Sequence, residues 1–231
     1  MIKFIGVIPI LWSSLTFYSS FDTFRRVKTG KEENRFHMLV QQGYSITEEE
    51  FKEISSRVKM ISFDWGGVLD LIFINKEEFR RLLQDVFAEF KNRGIQLVII
   101  SEGNPEVIRA RLKDLGWEDY FEIRQSLETM SILPKRTVLE KLAEEKGIES
   151  DSIIHFDDSA QILWRLGYQT GEKNIFGIGV VGWREEDGDF KVRVGELLQN
   201  TPWVVTDLKS IYEVLAQILE YNSSEVYHHS P

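Results

Sequence analysis

The chain has 231 residues, enough for one core-forming domain and a small accessory module. Its formal net charge of -9 argues against binding to a nucleic-acid backbone, because such proteins concentrate Lys and Arg on one surface. The absence of cysteine excludes disulfides, thiolate catalysis and zinc–thiolate sites.

Residues 1–57 differ in pattern from the rest of the chain. Their first apolar run, FIGVIPILW, is interrupted by Pro9 and is too short to span a bilayer. No small-residue cleavage site follows it, so a buried segment is favoured over a secretory signal. A helix is predicted at 31–42, and a capping box formed by Thr47 and Glu50 predicts the start of a second helix. The segment is therefore predicted to be a small, mostly helical module.

From residue 58 onward, apolar runs alternate with helical patterns, as is typical of a parallel sheet with crossover helices. Strands are predicted at 58–64, 96–101, 120–124, 152–157, 176–182 and 203–206. Helices are predicted at 75–92, 104–116, 134–146 and 208–221, with a short one ending at residue 166. The polar stretch WREEDGDFKVRVGELL between the last two strands is interpreted as a hairpin or an excursion from the sheet. The predicted fold is an α/β Rossmann-like, three-layer parallel sheet over 58–222, with a flexible tail at 223–231.

Three predicted strands end in a polar residue that could act chemically. Asp64 follows the strand in FDWGGVL, Ser101 follows VII, and Asp157 closes the run IIHFD. Ligands of open parallel sheets bind beyond the carboxyl ends of the strands, so these side chains are expected to lie close together. Lys135, in LPK, is expected at a helix start on the same side. The sequence therefore predicts a single site at one edge of the sheet.

The first of these segments suits attack on a phosphoryl group. The carboxylate of Asp64 is a candidate nucleophile that can attack phosphorus and form an aspartyl-phosphate. Gly66 and Gly67 let the backbone turn tightly and offer amide N–H groups to an anion. An Asp that merely caps a turn is the alternative for Asp64 taken alone.

The other segments supply charge and hydrogen bonds. Ser101 would donate its hydroxyl to a phosphoryl oxygen, and Lys135 would neutralise charge on the transferring group and orient Asp64. The adjacent carboxylates of Asp157 and Asp158 repel each other, which a divalent cation would relieve, and oxygen ligands of this kind suit Mg²⁺. Each residue taken singly is equally compatible with an ordinary turn or surface role. Their joint occurrence, in this order, supports the prediction.

In order, spacing and residue type, these segments resemble the motifs of the haloacid dehalogenase superfamily, most of whose members are magnesium-dependent phosphatases. The resemblance covers most of the chain from Met60 onward. It implies that Asp64 is the nucleophile and that Mg²⁺ is held by Asp64, the carbonyl of Gly66 and Asp157, with Asp158 as a further ligand. The residues expected to bind the phosphate are Gly66, Gly67, Ser101, Glu102 and Lys135.

The resemblance thus implies a phosphoric monoester hydrolase that acts on a small phosphorylated metabolite. No nucleic acid or membrane partner is expected, and the expected location is cytoplasmic. The sequence leaves the oligomeric state and the substrate open.

One position departs from the phosphatase pattern. Gly66 stands where these enzymes carry a second Asp that acts as general acid and base, a contribution of about 10² to 10⁴ in rate. Glu102 is the nearest replacement in sequence. The N-terminal module offers further candidates, which are Asp22, Glu32, Glu33 and His37. His155 should share a strand face with Asp157, where packing beneath the site is favoured over acid catalysis.

The N-terminal candidates could act only if residues 1–57 folded back over Asp64. The segment GYSITEEEF is similar to the helical cap segments of superfamily members, although here it precedes the first motif. Residues 1–57 are therefore predicted to form a lid that excludes water from the site. A module that only shields a sheet edge or forms a dimer interface is the alternative.

Two other functions remain open at this stage. Carbon–halogen hydrolysis, in which Asp64 attacks carbon without a metal, agrees with the missing second Asp. It agrees less well with the Asp157–Asp158 pair and with Gly66–Gly67. The other is a non-catalytic phosphate or protein binder built on the same scaffold. Metal dependence of phosphate-ester hydrolysis separates the three functions.

Overall fold

The structure is a computed structural model that describes residues 47–73, 77–126, 135–166, 175–181, 190–201, 203–205 and 208–224. The predicted helix at 31–42 and nearly all of the predicted tail lie outside these ranges. Within them, no helix is both long enough and apolar enough to cross a membrane.

The described strands all belong to one parallel sheet. They are β1 (Met60–Phe63), β2 (Gln96–Ser101), β3 (Phe121–Gln125), β4 (Ile153–Asp157), β5 (Phe176–Val180) and β6 (Val204–Val205). Their order across the sheet is β3-β2-β1-β4-β5-β6, and every neighbouring pair is parallel. The strand that carries Asp64 at its end is therefore central, between the strands that end in Ser101 and Asp157.

Helices cover both faces of this sheet. They are α1 (Glu48–Ser56), α2 (Glu77–Asn92), α3 (Pro105–Leu115), α4 (Lys135–Lys146), α5 (Ala160–Leu166), α6 (Phe190–Leu198) and α7 (Leu208–Ser224). Buried side chains of α1, α2, α3 and α7 form one apolar cluster, and those of α4, α5 and α6 form another on the opposite face. The central strands are buried on both faces, which explains their continuous apolar runs. The predicted three-layer α/β fold is confirmed.

Local sequence signals set the helix ends as expected. The Asn104 side chain accepts a hydrogen bond from the Glu106 N–H at 2.9 Å, with Pro105 as the first helical residue. Gly116 ends the same helix in the left-handed region, at φ 72°. These caps depend on neighbouring residues alone, so the sequence was sufficient to locate them.

One predicted element differs from the structure. Within the polar stretch before β6, residues 190–198 form helix α6, so the hairpin interpretation is wrong for this part. Val194, Leu197 and Leu198 are spaced by three and four residues and are buried together, which is helical rather than strand periodicity. The sequence prediction gave more weight to the Asp187-Gly188 turn signal than to this spacing.

The described end of the N-terminal module packs against the core. Phe51 of α1 is fully buried and stacks on Trp203, with ring centroids 4.5 Å apart. The Asn222 side-chain amide donates to the carbonyls of Ser55, Ser56 and Val58 at 3.0 to 3.3 Å. Helix α1 is thus joined to α7. The predicted lid over residues 1–57 stays a prediction, because residues 1–46 lie outside the described ranges.

Candidate active site

The carboxyl ends of three neighbouring strands bring the predicted residues together. In the parallel register Phe63 lies opposite both Ile99 and Phe156, so β1, β2 and β4 end at the same edge. A pocket of about 480 Å³ opens there. Seven of the eight predicted site residues line it, namely Asp64, Gly66, Ser101, Glu102, Lys135, Asp157 and Asp158. Only Gly67 does not, and it lies in the loop that follows Asp64.

Lys135, the first residue of α4, joins two of the strand ends. Its Nζ lies 2.6 Å from Asp157 Oδ2 and 3.2 Å from Asp64 Oδ2. The lysine side chain is 5% exposed and that of Asp157 is fully buried, so water screens this pair little. The sequence predicted that Lys135 would orient Asp64, but its shorter contact is with Asp157.

A loop of residues 65–68 and a 3-10 turn over Leu69–Phe73 follow Asp64, and Gly66 of this loop lines the pocket. The Trp65 N–H donates to Asp64 Oδ1 at 2.7 Å. This hydrogen bond from the next residue restricts the orientation of the candidate nucleophile. The Gly67 N–H donates to Asp70 Oδ1 at 2.8 Å. This amide therefore already has a partner within the loop.

Asp158 is held by an arginine from a distant helix. Arg193 Nη2 donates to Asp158 Oδ2 at 2.6 Å and also lies 3.3 Å from the carbonyl oxygen of the same residue. Gly67 makes room for this carboxylate, because a Cβ at Gly67 would lie 2.5 Å from Asp158 Oδ2. A Cβ at Gly66, by contrast, would meet nothing within 4 Å. The Asp158 carboxylate therefore requires glycine at position 67, whereas no neighbouring atom leaves too little space for a side chain at position 66.

Burial and charge shift the carboxylate pKa values in opposite directions. Burial raises the pKa of Asp64, and the positive charge of Lys135 only partly offsets it. Burial also acts to raise the pKa of Asp157, but the hydrogen bond from His155 and the charge of Lys135 outweigh it and hold that pKa below its usual value. Burial and the neighbouring Asp157 raise the pKa of Asp158 to about 6, against the pull of Arg193.

The three acidic residues suit a hard divalent cation. Ligand oxygens of Asp64, Asp157 and Asp158 all lie within 4.8 Å of one another. Lys135, Arg193 and backbone N–H groups occupy some of their acceptor positions, but each carboxylate has about four in total. A cation would also relieve the repulsion from Asp157, which adds to burial in raising the pKa values of Asp64 and Asp158. The donor set therefore fits Mg²⁺.

Sequence reasoning missed several residues at this edge. Gln161 and Arg165, one turn apart on α5, line the pocket, and Asp70 and Arg193 support its loops. Asp70 lies only six positions after Asp64, so the sequence alone could have predicted that it lies near the site. The position of Arg193 could not be predicted in this way, because it is 35 residues from its partner in a segment interpreted as a hairpin or an excursion from the sheet.

Replacing Gly67 by Ala is expected to disturb Asp158, whereas Gly66→Ala is not. Gly67 has φ 72°, where an L side chain costs about 1–2 kcal/mol, and the added methyl group would push Asp158 away from Arg193. Thermal unfolding and Mg²⁺ titration of the two purified variants check this. Equal melting temperatures and equal Mg²⁺ affinities for the pair would contradict the assigned role of Gly67.

A comparison with protein-family models finds a match to the haloacid dehalogenase-like hydrolases over residues 20–161. This range includes Asp64 after the first strand, Ser101, Lys135 and the Asp157–Asp158 pair. The chain belongs to the haloacid dehalogenase-like hydrolases. The resemblance inferred from the motifs is thereby confirmed at the level of the family.

A curated relative of this chain is distant in sequence. An (S)-2-haloacid dehalogenase from Pseudomonas sp. (strain YL) is 28% identical over 131 residues, which are 56% of this chain and 52% of the relative. The chain thus spans about half the length of that curated relative.

Solved structures resemble the fold. One is a 3-deoxy-D-manno-octulosonate 8-phosphate phosphatase from Moraxella catarrhalis in complex with a magnesium ion, a phosphate ion and a KDO molecule. It has a TM-score of 0.53 at 19% identity, and the match covers 79% of this chain and 99% of the phosphatase chain. The corresponding Yersinia pestis phosphatase has a TM-score of 0.50 at 12% identity, with coverages of 79% and 91%. At these identities the similarity establishes the fold.

Proposed function

We propose that this hydrolase is a Mg²⁺-dependent phosphatase that hydrolyses a small phosphorylated metabolite through an aspartyl-phosphate on Asp64. The observation that supports this most directly is Lys135, which lines the pocket and whose ammonium group lies against both Asp64 and Asp157. Phosphoryl transfer requires charge neutralisation and positioning above all, and this arrangement offers both. The phosphatase neighbours, one with magnesium and phosphate bound, support the same substrate class.

In the proposed reaction, Asp64 Oδ attacks phosphorus in line with the departing oxygen, and the bond to the leaving group breaks. Ser101 donates its hydroxyl to a phosphoryl oxygen, and Lys135 balances the negative charge there. Water then attacks phosphorus, releases inorganic phosphate and restores the Asp64 carboxylate. Bound Mg²⁺ supplies further neutralisation of the phosphoryl oxygens, with Asp64, Asp157, Asp158 and the Gly66 carbonyl as its proposed ligands.

Two assays on the purified chain test the proposal. Release of p-nitrophenol from p-nitrophenyl phosphate should require Mg²⁺ and stop when EDTA is added. Hydrolysis that persists unchanged in EDTA would argue against the metal, and the absence of any turnover on a panel of phosphorylated metabolites would favour a non-catalytic binder.

A dehalogenase is the second candidate, favoured by the 28% identical relative and by the missing acid at Gly66. There Asp64 would attack carbon and displace halide. Metal-independent halide release from a 2-haloacid, with no phosphate-ester hydrolysis, would replace the phosphatase proposal.

Gly66→Asp is expected to raise turnover of alkyl phosphates by about 100-fold, the lower end of the range for general acid–base catalysis. The position faces the pocket and has space for a side chain, while Gly66→Asn provides a control of the same shape without the proton. The gain should be smaller for p-nitrophenyl phosphate, because its leaving group departs readily as an anion. Unchanged or lower activity in a folded Gly66→Asp variant would indicate that another residue already supplies the proton.

A further inference from the structure

A buried pair of polar residues lies directly beneath the site. His155 Nε2 is 3.0 Å from Asp157 Oδ2, and His155 Nδ1 is 2.7 Å from Ser62 Oγ on the neighbouring strand. All three side chains are fully buried. Ser62 and His155 are paired in the register of β1 and β4, so the backbone of the sheet fixes their separation.

The surroundings determine which ring nitrogen carries the proton. An ionised carboxylate can only accept, so Nε2 must donate to Asp157. In this tautomer Nδ1 accepts, and the Ser62 hydroxyl donates to it. The only other acceptor recorded for that hydroxyl among the described residues is the Ile154 carbonyl, at 3.5 Å. Donation from Ser62 therefore adds to the preference for the Nε2–H tautomer that the Asp157 carboxylate imposes.

Both oxygens of the Asp157 carboxylate accept hydrogen bonds. Oδ2 accepts from His155 and Lys135, while Oδ1 accepts from the Ser159 N–H at 2.8 Å. These donors come from β4 itself, from the start of α4 and from the turn after β4. Together they restrict rotation of the carboxylate plane.

Ser62 and His155 are polar, although the neighbouring positions on their face of the sheet are apolar. On the same face, neighbouring strand positions carry Met60, Val98 and Ile100, which are buried in the apolar cluster beneath α4 to α6. An apolar pair could fill the positions of Ser62 and His155 without the desolvation cost of two polar groups. Stability alone therefore does not account for the two residues.

We propose that His155, stabilised in its Nε2–H tautomer by Ser62, is a positioning residue that orients the Asp157 carboxylate for cation binding. The inference rests on the proposed function, since it concerns the cation site of that function. It adds two residues that lie outside the pocket and act only through Asp157.

A matched pair of substitutions tests the role of His155. Gln and Met have similar length, but only His155→Gln keeps a donor near the position of Nε2. Mg²⁺ affinity of the full chain, measured by calorimetry, should fall about 10- to 100-fold in His155→Met, as for other groups that orient metal ligands. It should stay close to wild type in His155→Gln. The kcat of the Met variant should recover at saturating Mg²⁺, with the KM for p-nitrophenyl phosphate unchanged.

Ser62→Ala keeps the proposal testable if His155→Met fails to fold. Nitrogen NMR of the wild type should report Nε2–H for His155, assigned by its loss in His155→Gln. Ser62→Ala should give mixed tautomers together with weaker Mg²⁺ binding. Mixed tautomers with unchanged affinity would overturn the proposal.

The outcomes separate this inference from the proposed function. If His155→Met only lowers the melting temperature while binding Mg²⁺ as wild type does, His155 is a packing residue and the inference fails alone. A wild-type chain that binds no Mg²⁺ overturns both the inference and the metal dependence of the proposed function.

Discussion

Asp64→Asn is expected to lower kcat for phosphate-ester hydrolysis by about 10⁴- to 10⁶-fold, the scale seen when a covalent nucleophile is removed. The amide is nearly isosteric but cannot form the phosphoryl bond that the carboxylate forms. The Trp65 N–H can still donate to the remaining oxygen, so the loop conformation should persist. Steady-state kinetics at saturating Mg²⁺ measures the effect.

The folded state of this variant should be at least as stable as that of the wild type. Burial already raises the pKa of Asp64, so the ionised form is disfavoured and a neutral side chain removes that cost. Asp114→Asn, an exposed substitution on α3, serves as the control with unchanged activity. Mass spectrometry of acid-quenched wild type should show one added phosphoryl group that Asp64→Asn lacks. Residual activity within about tenfold of wild type would contradict the nucleophile assignment, since a tenfold change is only about 1.4 kcal/mol in the barrier.

Lys135→Met is expected to lower both stability and turnover. It leaves Asp64 and Asp157 buried without their shared cation, and removing one partner of a buried ion pair costs about 3–5 kcal/mol. Added Mg²⁺ should restore part of this loss, because a cation beside the same carboxylates replaces some of the missing charge. Chemical denaturation with and without Mg²⁺, together with kcat, provides the measurement. Lys141→Met removes an exposed lysine from the same helix and should have little effect.

The stability defect of Lys135→Met should depend on pH with a defined sign. In the wild type the pKa of Asp157 is held below its ordinary value of 3.8, so its ionisation stabilises the fold above that pH. This contribution is lost as pH falls through the folded-state value. Without Lys135 the pKa of Asp157 rises, so the gap between the two proteins should be larger at pH 7 than near pH 4. A gap that is the same at both pH values would contradict the ion-pair explanation.

The sequence by itself determined the central strands, the edge of the sheet at which the site lies and most of the residues there. Continuous apolar runs such as QLVII indicate a strand buried on both faces, and the polar residue after each run marks the carboxyl end. Because parallel strands share that edge, Asp64, Ser101 and Asp157 had to converge once the runs were recognised as strands. Short-range caps, such as Asn104 with Pro105, were equally readable because both partners are local in sequence.

Tertiary structure alone decided how the side chains pair within that edge. Lys135 lies closer to Asp157 than to Asp64, and Arg193 holds Asp158 across a separation of 35 residues. The contact of His155 with Ser62 likewise depends on the register between two strands that are distant in the chain. Hydrogen bonds and ion pairs depend on differences of a few tenths of an ångström, which residue spacing does not specify. Periodicity could place residues on a face, but only the packed helices and strands determined which donor meets which acceptor.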